Sequence, residues 1–286
     1  MQPEIYQDDV ENQWCPGCSN FGILAAMKKA LATLGLAPHE VCLVSGIGQA
    51  AKLPHYLRAN VFNGLHGRAI PAATGIKVAN PHLTVIVTTG DGDCYGEGGN
   101  HLLHALRRNP DITLVVHNNE VYALTKGQGS PTTPIGERTR LQFGGVEIEP
   151  IAILATAIVQ GCGFVARGYA GEIDHLSDLI VRAARHRGLS LVDVVQPCLT
   201  WGSRPLSWYR ERVVKLGTDH DPHDHAAALE LATQSRGTIP IGVLYEAPPG
   251  RIFAERYREK TGGRPLAVLE LLDESDIALR LARFSG

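Results

Sequence analysis

Apolar residues between Phe21 and Leu34 recur at helical intervals: Phe21, Leu24, Ala25, Leu31 and Leu34 fall on one face. Ser19 or Asn20 stands ahead of them as a cap and Gly35 behind them as a stop, which predicts a helix through Leu34. Val41 to Val44 is a continuous apolar run that ends in the turn Gly46-Ile47-Gly48, and it reads as a buried strand. The alternation then continues. Helices are expected over Ile70–Val78, Gly96–Arg107, Glu149–Val159 and Ile173–Arg185. Strands are expected over Leu83–Thr88, Ile112–His117, Phe164–Ala166 and Leu191–Val195. Strands that are apolar along their length are covered on both faces. Alternating with helices, they predict an open, doubly wound α/β domain with a mainly parallel sheet over residues 1–200.

Two stretches break this rhythm. Val121 to Glu147 is rich in Gly, Pro, Thr and Lys and is longer than a connector requires; such loops usually carry function or disorder. After Pro197 the apolar pattern stops. Cys198 to His225 reads as an extended arm, followed by a helix (Ala226–Gln234), a strand (Ile239–Tyr245) and a terminal helix (Asp276–Phe284). Residues 201–286 are therefore expected to form an extended C-terminal arm and tail packed on a partner subunit. No internal repeat is present.

Composition changes this picture little. Hydrophobic residues make up 44% and charged residues 20%, and the net charge is −2. Nothing here supports nucleic-acid binding, and no apolar run approaches the ~20 residues that span a bilayer. The polar, acidic N-terminus does not read as a signal peptide. Six cysteines without such a signal point to a reducing compartment, so a cytoplasmic protein is expected.

The candidate chemistry lies between Gly90 and Asn119. Gly90-Asp91-Gly92-Asp93 closes one apolar run and Asn118-Asn119 closes the next, with Asp91 and Asn119 28 residues apart. That interval fits a helix and a returning strand, and a right-handed crossover brings both loops to one edge of a parallel sheet. A carboxylate and an amide oxygen there suit Mg²⁺ shared with phosphate oxygens. The glycines let backbone N–H groups approach a diphosphate, and the helix expected from Gly96 adds its positive end. A plain βα turn is the simpler reading of GDG alone; the paired asparagines argue against it. Asp93 can either touch the metal or accept backbone N–H bonds within the turn.

Cys15 and Cys18 form C-x-x-C on a Pro-Gly turn. Zinc would want a second such pair and a redox dithiol would want a preceding strand, and neither is found. Two thiolates at that spacing can hold one metal or cluster corner, and Cys198 would be a third ligand. Cys42, Cys94 and Cys162 read as core thiols, and the run His220 to His225 as a solvated polar loop.

The motifs WCPGC at Trp14–Cys18, SGIG at Ser45–Gly48, LHGRA at Leu65–Ala69, YALTKGQ at Tyr122–Gln128, SPT at Ser130–Thr132 and QPC at Gln196–Cys198 occur in that order around GDG and NN. Together they resemble the β subunit of 2-oxoacid:ferredoxin oxidoreductases, from about Trp14 to Cys198. The resemblance implies a thiamine diphosphate-binding fold of the diphosphate type, with Mg²⁺ held by Asp91, Asn119 and the Val121 carbonyl. It places Gly46, Ile47, Gly48, His66, Gly67, Gly90, Gly92, Asp93, Leu124 and Thr125 around the cofactor. Lys52 is implied to hold a substrate carboxylate, with Leu124 as a pocket wall and Lys126 as a further candidate cation. It also implies a 4Fe-4S iron–sulfur cluster on Cys15, Cys18 and Cys198. The family's remaining cysteine is replaced here by Gln49, a poor, hard, neutral ligand. Three outcomes stay open: a non-cysteine fourth ligand, a labile or three-iron cluster, or no cluster.

The implied reaction is oxidative decarboxylation of a 2-oxoacid to acyl-coenzyme A and CO₂, with electrons leaving through the cluster to ferredoxin. The pyrimidine-binding domain, with its activating glutamate, is expected from an α subunit, which makes this chain half of an active site. Two alternatives are a non-redox thiamine decarboxylase or carboligase subunit, and a non-catalytic electron-transfer or assembly subunit. A nucleotide-binding dehydrogenase fits poorly, because GDGDCYGEGG departs from G-x-G-x-x-G.

Overall fold

The computed structural model describes residues 1–233, 237–255, 258, 262–268 and 274–283. Helix α1 (Asn20–Leu34) is closed by Gly35 in the left-handed region. Strand β1 (Val41–Ser45) and the edge strand β2 (Asn60–Asn63) flank a 3-10 helix at Ala50–Tyr56. Helix α2 (Ala69–Ala79), β3 (Thr84–Gly90), α3 (Gly99–Arg108) and β4 (Thr113–Asn118) follow. A small hairpin, β5 (Val121–Tyr122) and β6 (Gln128–Gly129), opens the long loop. Then come α4 (Ile153–Val159), β7 (Phe164–Tyr169), α5 (Ile173–Arg185) and β8 (Ser190–Val195). The C-terminal part holds α6 (Leu206–Arg212), β9 (Val213–Lys215), α7 (His225–Thr233), β10 (Ile239–Glu246) and α8 (Glu274–Ala282).

Eight strands form one sheet in the order β2-β1-β3-β4-β8-β7-β10-β9. Every pair is parallel except β10 against β7. The continuous apolar strands explain the layering, because alternate side chains serve opposite faces. In β1, Val41 and Leu43 join Met27, Leu31 and Ile180 on one face, while Cys42 and Val44 join Ile70, Leu102 and Ile158 on the other. Both faces are therefore covered by helices, as the sequence predicts.

Four expectations shift. The helix does not wait for Gly96: Asp91 is already helical, a π turn runs from Gly92 to Glu97, and α3 continues from Gly99. Helix α4 starts at Ile153, not Glu149. Strand β2 was not foreseen, and all four of its residues are exposed. The expected arm contains α6 and β9, and β10 adds to the same sheet, so this segment is partly built into the α/β layer. Tyr209 of α6 is buried against Tyr169 and Ile241. The expected helix ends at Gln234 and Phe284 lie outside the described residues. No helix among the described residues is long and apolar enough to cross a membrane.

Candidate cofactor site

Strands β3 and β4 are neighbours in register, with Gly90 beside His117, so their carboxyl ends deliver Asp91 and Asn119 to one cleft. The cleft has a volume of about 110 Å³. Its walls include Ile47, Gly48, His66, Gly90, Gly92, Val121, Leu124 and Thr125, all expected near the cofactor, together with Gln49 and Tyr122.

Asp91 is buried, and burial pushes its carboxyl up to about 6. Thr132 Oγ1 donates to its Oδ2 at 2.7 Å, and the Asn119 N–H reaches its Oδ1 at 3.5 Å. Among the described residues no cation pairs with it. A buried carboxylate held by hydrogen bonds alone is destabilised as an anion, and a divalent cation would satisfy it. The chemistry of the donors therefore fits Mg²⁺. Asn119 Oδ1 accepts the Val121 N–H at 3.1 Å, which fixes the amide at the cleft wall. Its neighbour Asn118 turns inward, giving Nδ2 to Asp193 at 3.3 Å, and its Oδ1 lies 2.9 Å from the same Thr132 hydroxyl.

Asp93 accepts backbone N–H groups, but from two other turns and not from its own. Its carboxylate accepts the backbone N–H groups of Ile47 at 3.2 Å and Gly67 at 2.7 Å, and Thr89 Oγ1 at 2.6 Å. It also meets His66 Nδ1 at 2.7 Å. Asp93 thus ties three turns together beneath the cleft. Gly46 and Gly67 serve this tie and do not line the cleft; a Cβ on Gly46 would collide with the Asp93 carboxylate. The ring of Tyr122 covers Gly92, where a Cβ would collide with it, and its hydroxyl donates to Glu97 at 3.2 Å. Lys52 lies on the 3-10 helix after Gln49 and does not line the cleft, whereas Leu124 does and is 44% exposed.

A second, smaller cavity of about 50 Å³ adjoins the first. Cys15, Cys18 and Cys198 all line it, and so does Gln49. Gln49, Asn119 and Ala123 belong to the walls of both cavities. Cys15 and Cys18 come from a turn closed by Cys18 N–H to Cys15 O at 3.0 Å, and Cys198 follows β8. Burial pushes the Cys18 thiol up, and the two other cysteines add to the shift. Gln196 Nε2 lies 3.9 Å from Cys18 Sγ. Among the described residues no group of three or more His, Cys, Asp or Glu side chains is gathered to hold a single metal ion. A cluster spreads its ligands over several irons, so its cysteines stand farther apart than ligands of one ion. His220 and His223 of the polar run hydrogen-bond to carbonyls of β10.

The sequence reading missed Thr132 as a partner of Asp91, Tyr122 as the cover over Gly92, and Glu120. Glu120 has a left-handed backbone (φ 59°) between Asn119 and Val121. Thr132 and Tyr122 lie within quoted motifs, which is the signal that could have found them. Glu120 carries none.

The comparisons with known proteins agree with this geometry. Residues 43–194 match the family model of the thiamine pyrophosphate enzyme C-terminal TPP binding domain, so the fold is of the thiamine diphosphate-binding class. Residues 198–261 match the C-terminal part of the pyruvate ferredoxin oxidoreductase beta subunit. The chain belongs to the family of 2-oxoacid:ferredoxin oxidoreductase β subunits, as its motifs suggest. It is 42% identical to 2-oxoacid:ferredoxin oxidoreductase 1, subunit beta, of Aeropyrum pernix, over 89% of this chain and 84% of that protein. It is 44% identical to the 2-oxoacid:ferredoxin oxidoreductase subunit beta of Saccharolobus solfataricus, over 87% of each. Among solved structures it resembles 2-oxoglutarate:ferredoxin oxidoreductase from Magnetococcus marinus, solved with 2-oxoglutarate, coenzyme A and succinyl-CoA bound. The TM-score is 0.90 and the identity 35%, over 98% of this chain and 96% of that one. These relatives favour the oxidoreductase over the non-redox and non-catalytic alternatives.

Proposed function

We propose that this chain is the thiamine diphosphate-binding half of an enzyme that oxidatively decarboxylates a 2-oxoacid to an acyl-coenzyme A and passes the electrons to ferredoxin. The observation that carries the reading is the shared wall. Asp91 and Asn119 face one cleft, three cysteines line the next, and Gln49, Asn119 and Ala123 separate them.

Thiamine diphosphate, when bound, supplies the electron sink on which a 2-oxoacid loses CO₂. Asp91 and Asn119 would hold Mg²⁺ through side-chain oxygens, with the Val121 carbonyl as a third ligand. The amides of the Gly90–Gly92 turn and His66 would bind the diphosphate. Leu124, on the rim, would wall the substrate pocket, and Lys52 would need to reach in from outside the lining. Cys15, Cys18 and Cys198 would hold an iron–sulfur cluster. An α subunit would bring the pyrimidine-binding part, and residues 201–286 would contribute to that contact. Six unpaired cysteines support a reducing, cytoplasmic setting.

The test is coenzyme A-dependent reduction of a viologen dye by the anaerobically purified complex, with pyruvate and 2-oxoglutarate compared as substrates. Activity that requires thiamine diphosphate, Mg²⁺ and the α subunit is expected. Cofactor binding and turnover that survive Asp91→Ala would sink the reading.

A further inference from the structure

Gln49 lines the cysteine cavity together with Cys15, Cys18 and Cys198. Trp14 is buried and its Nε1–H donates to the Gln49 carbonyl at 2.8 Å, which pins the backbone of this residue. The side-chain Oε1 of Gln49 is buried and has no hydrogen-bond partner. A buried oxygen left unpaired is disfavoured unless something in the cavity meets it. No histidine or carboxylate lines the cavity to compete for that place. Asn20 Oδ1 faces His117 Nδ1 at 2.8 Å, and Asn119 Oδ1 accepts the Val121 N–H. Gln196 Oε1 is also buried without a partner, but the Gln196 amide is turned by its Nε2 toward Cys18 Sγ at 3.9 Å, beside a corner that a thiol already takes. Cys42 lies on β1 in the core of the opposite layer, with Cys94 and Cys162, so none of these thiols replaces it.

We propose that Gln49 Oε1 ligates the fourth iron of a cluster whose other three corners are held by Cys15, Cys18 and Cys198. This rests on the reading above that the cysteines hold a cluster. A neutral amide oxygen is a hard, weak donor to iron beside sulfide, so the iron at Gln49 is exchangeable. Replacing an anionic thiolate by a neutral ligand also removes one negative charge, which moves the reduction potential upward. Gln49 therefore sets two properties at once: a cluster that accepts electrons more readily, and one that sheds a single iron when oxidised. The shedding balances. Ferricyanide takes one electron from the resting [4Fe–4S]²⁺ cluster, and the resulting 3+ cluster separates into Fe²⁺ and [3Fe–4S]⁺.

The experiment uses the full chain in complex with its α subunit, purified anaerobically and supplied with ferrous iron and sulfide. Iron and sulfide per chain are measured, and electron paramagnetic resonance spectra are recorded before and after one equivalent of ferricyanide. The wild type is expected to lose one of four irons and to develop the three-iron signal, which ferrous iron and dithionite then reverse. Gln49→Cys should keep all its iron, show no such signal and titrate at a more negative potential. Gln49→Ala should lose the iron several-fold faster than wild type. Full iron retention by the oxidised wild type overturns the proposal, and so does faster loss in Gln196→Leu but not in Gln49→Ala. Absence of iron and sulfide from the wild type and every variant also overturns it, and removes the cluster from the proposed function as well. The coenzyme A-dependent assay tests the thiamine part of that function separately.

Discussion

Arg204 Nη1 donates to Glu120 Oε2 at 3.0 Å, joining the lead-in of α6 to the residue between two proposed metal ligands. The guanidinium also lies over the Trp208 ring, 4.4 Å from its centroid. The Glu120 backbone is left-handed, a conformation that a non-glycine residue keeps only where its surroundings hold it. Thr133 Oγ1 holds its carbonyl at 2.6 Å, and Arg204 holds its carboxylate. Burial pushes the Glu120 carboxyl up to about 7 against the pull of Arg204. Replacing Arg204 by Met should release this clamp and loosen Asn119 and Val121. The expected result is about a tenfold weaker affinity for Mg²⁺–thiamine diphosphate, close to 1.4 kcal/mol, by isothermal titration calorimetry. Arg204→Lys should lie between. An unchanged affinity would make the pair a packing contact only.

Asp91 is set to be a better ligand than a structural residue. Its buried carboxylate, raised to about 6, destabilises the metal-free protein near neutral pH. Asp91→Asn keeps an oxygen for Thr132 Oγ1 but removes the charge. The metal-free variant should melt at the wild-type temperature or a few degrees above it. Addition of Mg²⁺ and thiamine diphosphate should raise the wild-type melting temperature and leave the variant unmoved. A variant that is still stabilised by the pair of ligands would remove Asp91 from the metal site.

The contrast between Asp91 and Glu120 shows what a sequence exposes. Asp91 and Asn119 close successive apolar strands, so their shared edge follows from topology before any coordinates are known. The strands themselves were legible because β1, β3, β4 and β8 are buried on both faces. Strand β2 was not, since Asn60, Val61, Phe62 and Asn63 are all exposed at the sheet edge and leave no apolar run. Helix α6 was hidden for a related reason: only Tyr209 of its seven residues is buried, and Pro205 precedes it. Glu120 and Arg204 are 84 positions apart with no repeating pattern between them. Their meeting depends on how α6 packs, which is a tertiary fact. Lys52 is the converse case, a residue placed by resemblance alone, which lies on the 3-10 helix outside the cleft lining.

His117 should make the fold acid-sensitive. It is fully buried at the end of β4, and burial holds its imidazole down to about 3. The neutral ring gives Nδ1–H to Asn20 Oδ1, and Nε2 has no partner. An unfolded chain takes up this proton near pH 6.5 and the folded one does not until about 3. The contribution of His117 is therefore fully present above pH 6.5 and is lost as pH falls toward 3, by roughly 1.4 kcal/mol per pH unit. Asp91 acts oppositely, adding stability as pH falls from about 6 to 3.8. Urea midpoints of wild type and His117→Gln between pH 7 and 4 separate the two. The variant should show the shallower acid loss. Parallel curves would mean that His117 is protonated in the fold.

Tyr122 and Gly92 make the last case, because the ring fits only where residue 92 has no side chain. The tyrosine ring lies where a Cβ on residue 92 would be, and its hydroxyl is anchored on Glu97. Gly92→Ala must therefore push the ring away, and the ring belongs to the cleft wall beside Asn119. Cofactor affinity should fall by about one to two orders of magnitude, roughly 1.4–2.7 kcal/mol. Tyr122→Ala alone should cost less, since it removes a cover without moving the turn. Combining the two should recover most of the loss seen in Gly92→Ala, because the methyl group then has room. That recovery is the decisive measurement. If the double variant binds no better than Gly92→Ala, the glycine is required for the approach of the diphosphate itself and the ring is incidental.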